Sequence, residues 1–539
     1  MNRIMSLCAA LLLTFVSGGA VVSAQSGYEV KGVVVDAVGP VIGATVIEQG
    51  TTNGTSTGLD GDYVLTVSSA DAVVEISCIG YASQTFVASQ VPATVTLSED
   101  TQFLDEVVVI GYGTVKKEDM TGSIVAIKNE EINRGAVVNT QDMLKGKVPG
   151  LLVTPGDGGP GSGSRIRIRG AASLYASSDP LIVIDGVPLS ADAGSGMSNP
   201  LDFVNPNDIE SFTVLKDASS AAIYGSRAAN GVVLITTKQG KKSKGPQLSF
   251  NASVGLANVA KTYEVLNVAE YKELMDEIGA VKLPDGLKDE TDWFEETYKT
   301  GINQNYQLSV SNANEDMRYY ISGGYSDEEG ILPVAYNKRF NVKASFDSDL
   351  YDWLNVGTDI AFSHYKNNGI ISGTGSNRAG VVLSVVNTPT YAKPWSETNP
   401  NWYWTEFYGA NLTTPAENLA RTENNYTETD RLLLTGYAQI NFSKNFRFKS
   451  TVSMDRRWVH SFNFLDPIKT SYGRTQHGEA SSERSDDMRM VYDNIFTYNN
   501  TWNAKHNLEA MAGTSATTSR WENLSGSRSY FSPDYGNVI

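Results

Sequence analysis

RFNVKASF at residues 339–346 and LLTGYAQINF at residues 433–442 decide the fold. In the first, Phe340, Val342, Ala344 and Phe346 share one face of an extended chain; in the second, Leu434, Gly436, Ala438, Ile440 and Phe442 do the same. Successive side chains of a strand point to opposite sides, so a period of two is the mark of a β-strand. Working outward from these runs, about nine such segments fill residues 246–539. Alternation this weak per segment suits a transmembrane β-barrel. The connections say more than the strands. Those after the second, fourth, sixth and eighth segments are short, near 312–315, 348–352, 443–445 and 501–504, and those after the first, third, fifth and seventh are long, the longest running from about 365 to 430. Tight periplasmic turns alternating with large outer loops require that pattern. A secreted soluble β-protein, the alternative, has no reason to produce it.

The bulk composition agrees. A chain of 539 residues is too long for one core and predicts roughly three to four domains. Charged residues are 19% while Tyr (26), Trp (8) and Gly (49) are plentiful, a bias that suits β-structure with wet aromatic surfaces. The formal charge of −17 argues against a nucleic-acid partner, because phosphate binding needs clustered Lys and Arg. No stretch beyond residue 24 approaches the ~18 apolar residues of a spanning helix. A membrane location therefore demands a barrel, the other structure that satisfies its backbone in lipid.

Ahead of the barrel the texture changes twice. Residues 1–24 carry Arg3, an apolar run at 7–16 and Val22-Ser23-Ala24, the pattern of a cleaved signal peptide; with Cys8 removed, Cys78 has no disulfide partner. Residues 28–98 hold short β-rich runs at 30–36, 45–48, 63–67, 73–77 and 94–97, separated by turns such as Gly58-Leu59-Asp60-Gly61, which predicts a small antiparallel sandwich. Residues 114–238 mix α and β. Thr140 is read as the cap of a short helix ended by Gly146, Asp217 as the cap of another stopping at Gly225, and 181–185 and 231–237 as buried strands.

Several groups of residues are candidates for function. Asp105, Glu106, Val107, Val108 and Val109, in a segment spanning 104–113, favour an extended backbone. Such a segment adds as a strand to a partner's sheet edge, or is simply the last strand of the sandwich. Arg165, Arg167 and Arg169 alternate with Ile166 and Ile168, so three guanidiniums share a face that could anchor to carboxylates of a barrel wall or meet a solute. Trp395, Trp402, Tyr403 and Trp404, with Phe407 and Tyr408, crowd the longest outer loop. Their flat rings either stack on sugars or a protein lid, or pack the loop onto itself. The Gly-rich 156–163 lacks the Gly-Lys-Ser/Thr of a phosphate loop, and His364, His460, His477 and His506 are far apart in sequence. No hydrolase set is evident, so an enzyme is not expected.

These motifs resemble a family. Asp105-Glu106-Val107-Val108-Val109 with Gly111-Tyr112-Gly113 looks like the TonB box of SusC-like TonB-dependent outer-membrane transporters, the SusC/RagA family. Leu144–Gly150, Arg165–Gly170, Val183–Pro188 and Ala222–Gly231 are similar to its plug, and the sandwich is similar to its carboxypeptidase-regulatory-like domain. The resemblance implies import of a large solute across the outer membrane, usually a glycan or oligosaccharide, though peptides or other nutrients remain open. It also implies TonB and a SusD-like surface lipoprotein as partners, contact with outer-membrane lipid, and no cofactor. A signal-transducing receptor of this kind would carry a further domain before the TonB box, where only the sandwich stands. The fold expected is mainly β: sandwich, α/β plug, then the first nine or so strands of an incomplete antiparallel barrel at 246–539. A plug of this size does not fit a barrel of nine strands, since plugged transporters have about 22. The reading therefore expects further strands elsewhere, this chain being a truncated or split frame or a non-functional remnant that does not insert alone.

Overall fold

The computed structural model describes residues 27–531 apart from 37–38, 52, 79–80, 82, 98–106, 111–112, 117–123, 130, 132–139, 157, 171–177, 190–200, 202, 244, 369–379, 410–411 and 503–505. The expected leader and the last eight residues thus lie outside the described residues. The chain divides into two compact units, Met1–Val108 with Val115–Asp119, and Val109–Thr114 with Met120–Ile539.

In the first unit, strands β1 (Tyr28–Val35), β2 (Thr45–Glu48), β3 (Gly54–Ser56), β4 (Asp62–Val67), β5 (Val73–Ser77), β6 (Gln84–Val87) and β7 (Thr94–Thr96) form two sheets, ordered β4-β1-β7 and β3-β2-β5-β6. On β4, Tyr63, Leu65 and Val67 are buried and Asp62, Val64 and Thr66 face out. With Val34, Val46, Val74, Ile76 and Val95 they close the core. The short β3 and β6, of three and four residues, were not picked out in the sequence. Glu48 is buried among these residues, its carboxylate accepting from Asn53 Nδ2 (2.9 Å), the Ser68 N–H (3.2 Å) and the Ser68 hydroxyl. Those bonds hold it below the ordinary carboxylate range. Two extended strands follow, β8 (Val107–Ile110) and β9 (Gly113–Lys116).

The second unit begins with a mixed domain of β10 (Ile124–Lys128), β11 (Leu151–Pro155), β12 (Ser164–Ile168), β13 (Leu181–Ile184), β14 (Val187–Pro188), β15 (Ile209–Leu215) and β16 (Val232–Thr237). Five of them form one sheet, β10-β15-β16-β13-β14, and β11 pairs with β12. Parallel β13 and β16 are buried on both faces, hence their unbroken apolar runs. Two details differ from expectation. Thr140 lies inside a 3-10 turn, Thr140–Leu144, and its hydroxyl bonds the Val204 carbonyl (3.1 Å) instead of capping. Asp217 does cap its helix through the Ser220 N–H (2.9 Å), but Gly225, at φ 66°, kinks the chain and helical structure runs on to Ala228.

The rest is one antiparallel sheet of nine strands in sequence order: β17 (Gln247–Ala257), β18 (Gly301–Ala313), β19 (Met317–Glu329), β20 (Tyr336–Tyr351), β21 (Leu354–Asn368), β22 (Tyr426–Asn441), β23 (Phe446–Leu465), β24 (Glu479–Trp502) and β25 (His506–Ser529). Among the described residues the sheet is not closed; β17 and β25 are its edges. Connections 314–316, 352–353, 442–445 and 503–505 are short, and 258–300, 369–425 and 466–478 are long. The third connection, expected to be long, is only the six residues 330–335, because the β19–β20 ladder stays paired as far as Glu329 and Tyr336.

The polarity of this sheet is inverted. On β20, Phe340, Val342 and Phe346 are exposed while Asn337, Arg339, Asn341, Lys343 and Ser345 are buried. Register carries this around the wall: Ala344, Ile360, Leu434, Met454, Met490 and Thr518 are successive cross-strand partners. Six residues nearer the long loops the same alignment gives Lys338, Lys366, Glu428, His460, Arg484 and Leu524. An apolar belt bounded by charge is what a lipid-facing barrel surface needs.

Candidate functional site: the plug lock

The buried polar face of the sheet meets the mixed domain; hydrogen bonds and ion pairs cross the contact, beside an apolar patch where Tyr365 and Leu433 of the wall join the domain's core. Asn205 starts it. Its side chain accepts from the Asn207 N–H (3.0 Å), Pro206 sits at the first helical position, and the short turn Pro206–Asp208 aims Asp208 at the wall. Asp208 is 1% exposed. Its Oδ1 accepts from Gln307 Nε2 on β18 (2.5 Å) and from the Tyr320 hydroxyl on β19 (2.7 Å). Burial pushes this carboxyl above its ordinary range.

Asp185, in the turn from β13 to β14, has φ 47°. It accepts from the Thr237 N–H (2.9 Å) and hydroxyl (2.6 Å), joining the ends of β13 and β16. Lys343 reaches across from β20, with Nζ 3.4 Å from Asp185, 3.9 Å from Asp359 of β21, and bonded to the Thr237 hydroxyl. A cavity of about 30 Å³ lies between Asp185, Asn205, Asp208, Thr237, Lys343 and Asp359, room for a water or two. Further round the wall, Arg431 pairs with Asp455 through two bonds (2.8 and 2.7 Å) and covers the Phe203 ring at 4.2 Å. Arg457 pairs with Asp487 (3.3 Å), and Arg489 donates to the Leu189 carbonyl (3.3 Å). The mixed domain is thus held largely by acceptors it offers to donors from the adjacent strands β18, β19 and β20 and from β24, with Arg431 of β22 over Phe203.

Of the residues singled out in the sequence, Ile166 and Ile168 are buried, as the alternation demands. Arg165 and Arg169 are exposed; Arg167 is half-buried with Nε unpartnered among the described residues. Arg169 lies just past the end of β12, at φ 58°. No ion pair joins the three to a described wall carboxylate. Asp105 and Glu106 lie outside the described residues, and Val107, Val108 and Val109 belong to β8. The aromatic cluster divides. Trp404 and Tyr403 are buried, Trp404 against Trp293, Val385 and Tyr391. Trp402 is half-buried with Arg474 over its ring at 4.1 Å. Trp395 is 48% exposed and stacks on Tyr403 at 4.5 Å. His364 and His460, distant in sequence, flank β22 and lie 2.9 Å from Asp430 and 4.0 Å from Glu428. Among the described residues no group of His, Cys, Asp or Glu could hold a metal ion.

Asn205, Asp208 and Lys343 escaped the sequence reading. The signals were there: Asn-Pro-Asn-Asp is a capped turn, and Lys343 occupies the alternate face of RFNVKASF.

A polar-locked domain against the inward face of an outwardly apolar sheet is the arrangement of a plugged β-barrel, and comparison with known proteins gives its class. Residues 116–232 match the TonB-dependent receptor plug domain and residues 30–109 the CarboxypepD_reg-like domain. The TonB-dependent receptor SusC of Bacteroides thetaiotaomicron is 43% identical over 379 residues, 69% of this chain and 37% of that protein. A TonB-dependent receptor of Formosa agariphila is 31% identical over 538 residues, 96% of this chain and 49% of that one. Among solved structures, the RagAB peptide importer in its 'open-open' state matches with a TM-score of 0.68 at 27% identity, covering 80% of this chain and 52% of that chain. The chain is SusC/RagA-like, and spans between about a third and a half of the curated relatives it matches. Proteins of this kind are outer-membrane β-barrels, in keeping with the apolar outward rows. Among the described residues no helix is long and apolar enough to cross a membrane.

Proposed function

We propose that the chain serves TonB-dependent active import of a large solute across the outer membrane, the solute being a glycan or oligosaccharide, with a SusD-like lipoprotein at the surface and TonB supplying energy. The observation that carries this reading is the polarity of the plug–wall contact. An apolar interface loses about 25 cal/mol for each Å² exposed when it separates. A hydrogen bond nets only about 0.5–1.5 kcal/mol because water replaces the partner. A plug held by Asp185, Asp208, Lys343 and Arg489 can therefore shift under load and return. In this reading TonB adds as a strand to residues 105–109, for which the extended β8 is suited, and pulling remodels the plug. Asp185 and Asp208 do the anchoring, which leaves Arg165, Arg167 and Arg169 to the solute path. The half-exposed Trp395 face offers a stacking surface for a sugar ring.

A second reading, import of peptides, draws on the likeness to RagAB, described as a peptide importer. Uptake of labelled oligosaccharides and of labelled peptides by cells carrying the gene, compared with Val108→Pro, tests both. Proline removes a strand N–H donor, so uptake falls to the level of cells lacking TonB. Uptake indifferent to Val108→Pro sinks the import reading, and peptide uptake alone favours the second.

A further inference from the structure

At the opposite end of the strands from the large loops, a pocket of about 490 Å³ lies between the turns 352–353 and 442–445, lined by Asp352, Trp353, Lys444, Arg447, Thr497 and Asn499 among others. Its strand residues Asn441, Arg447 and Thr497 face the lumen. Arg447 is an even number of positions from Ser453, Asp455 and Arg457, which are buried on the plug side of β23. Its cross-strand partners Asn441 and Thr497 take the same face. Lys449, two residues on, also points inward, its ammonium 3.9 Å from the Tyr437 ring. Lys444, Arg447 and Lys449 thus follow one another along the mouth of a chain whose net charge is −17. Among the described residues none of the three forms an ion pair, and Asp352 is the one carboxylate in the lining. The amides nearby are already used: Asn445 Nδ2 bonds the Asn499 carbonyl and Asn500 Oδ1 (both 2.8 Å), and Asn441 Nδ2 bonds Asn355 (2.7 Å).

A guanidinium fork beside an ammonium, in a pocket of ligand-binding size, matches an oxyanion. We propose that this pocket is an oxyanion site at the periplasmic mouth, taking a carboxylate, sulfate or phosphate group carried by the solute as it leaves the lumen. The solute's role rests on the import reading above; the binding site does not. The same chemistry could come from a lipid headgroup, since the stacked pairs Tyr351–Trp353 (5.7 Å) and Phe446–Phe496 (5.8 Å) lie alongside.

The test is calorimetric titration of the folded full chain with inorganic sulfate, and with glucuronate, first in detergent and then in nanodiscs. Saturable binding is expected, weakened at least about tenfold by Arg447→Gln and by Lys444→Gln, and partly kept by Arg447→Lys. Lys444 is an exposed turn residue, so its variant reports on binding even if Arg447→Gln perturbs folding. Absence of saturable binding to the folded wild type, or binding by both Gln variants as strong as that of the wild type, overturns the site. Sulfate binding lost in phosphatidylglycerol discs but kept in phosphatidylcholine discs makes the pocket a lipid site and overturns the solute assignment. Binding intact with no energised uptake leaves the site standing and removes the import reading instead.

Discussion

Asp208→Ala is the substitution that most directly probes the lock. It leaves two buried donors, Gln307 Nε2 and the Tyr320 hydroxyl, without the acceptor they now meet at 2.5 and 2.7 Å. A stranded buried donor costs about 1–3 kcal/mol, so the pair costs roughly 2–6 kcal/mol. Relief from burying a carboxyl brings the net loss toward the low end, about 2–3 kcal/mol. Asp208→Asn keeps an acceptor in place and loses less than about 1 kcal/mol. The assay is the urea concentration at which the plug becomes cleavable by protease, measured on the whole chain in detergent. Proton linkage adds a second axis. The folded carboxyl titrates above its ordinary value, so its protonated form is favoured in the folded state. The stability it contributes is fully present below the unfolded pKa and is lost as pH rises through the folded pKa. Wild type therefore resists urea better in acid near the unfolded carboxyl pKa than at pH 7, and Asp208→Asn lacks that part of the slope. Equal losses for Asn and Ala, with the pH slope unchanged in both, would refute the argument.

Four further outcomes follow from the same physics. At Gly357 an added Cβ would lie 2.4 Å from Tyr437 Cε1, so Gly357→Ala displaces a ring that crosses β21 to bond Asp347; the stability read from urea unfolding falls by about 1–3 kcal/mol. Glu48→Gln costs the sandwich about 1–2 kcal/mol at pH 7. Because the folded Glu48 carboxyl is depressed, the wild-type advantage exists above the unfolded pKa and fades as pH falls through the folded one, which paired thermal melts at pH 7 and in acid would show. Trp404→Ala, at a side chain 7% exposed, opens loop 369–425 to trypsin with a loss of about 3–5 kcal/mol. Trp395→Ala costs under about 1 kcal/mol in stability yet lowers oligosaccharide affinity, and unchanged affinity would count against the stacking role.

The barrel strands were legible because a period of two leaves a trace in composition wherever one side meets lipid: Phe340, Val342, Ala344 and Phe346 announce the exposed face of β20. The lock was not, although one of its members sits in the same stretch. Lys343 finds Asp185 across 158 positions, and nothing local to either residue names the other. Arg165, Arg167 and Arg169 drew attention because they alternate, but alternation reports a shared face and not what stands opposite. In the same way Trp395 and Trp404 belong to one cluster in the sequence and part company only where Trp293 and Tyr391 cover one of them. The third outer connection was misjudged because the β19–β20 ladder stays paired up to Glu329 and Tyr336, and hydropathy does not mark where pairing ends.

The two large outer loops share a single core, in which Val268 and Trp293 from 258–300 pack with Val385, Tyr391 and Trp404 from 369–425. The Trp293 indole N–H donates to the Pro389 carbonyl (3.2 Å), and the Glu290 and Thr291 N–H groups both donate to Thr390 (2.9 and 3.0 Å). From the second loop Glu417 reaches the Ser471 N–H (2.8 Å) of a third. Such loops cannot be inherited or exchanged one at a time. A graft that replaced 369–425 alone would expose Trp293 and orphan three donors, so new ligand preferences in this scaffold should arise by drift within a co-adapted set, and engineers should move the loops as one cassette.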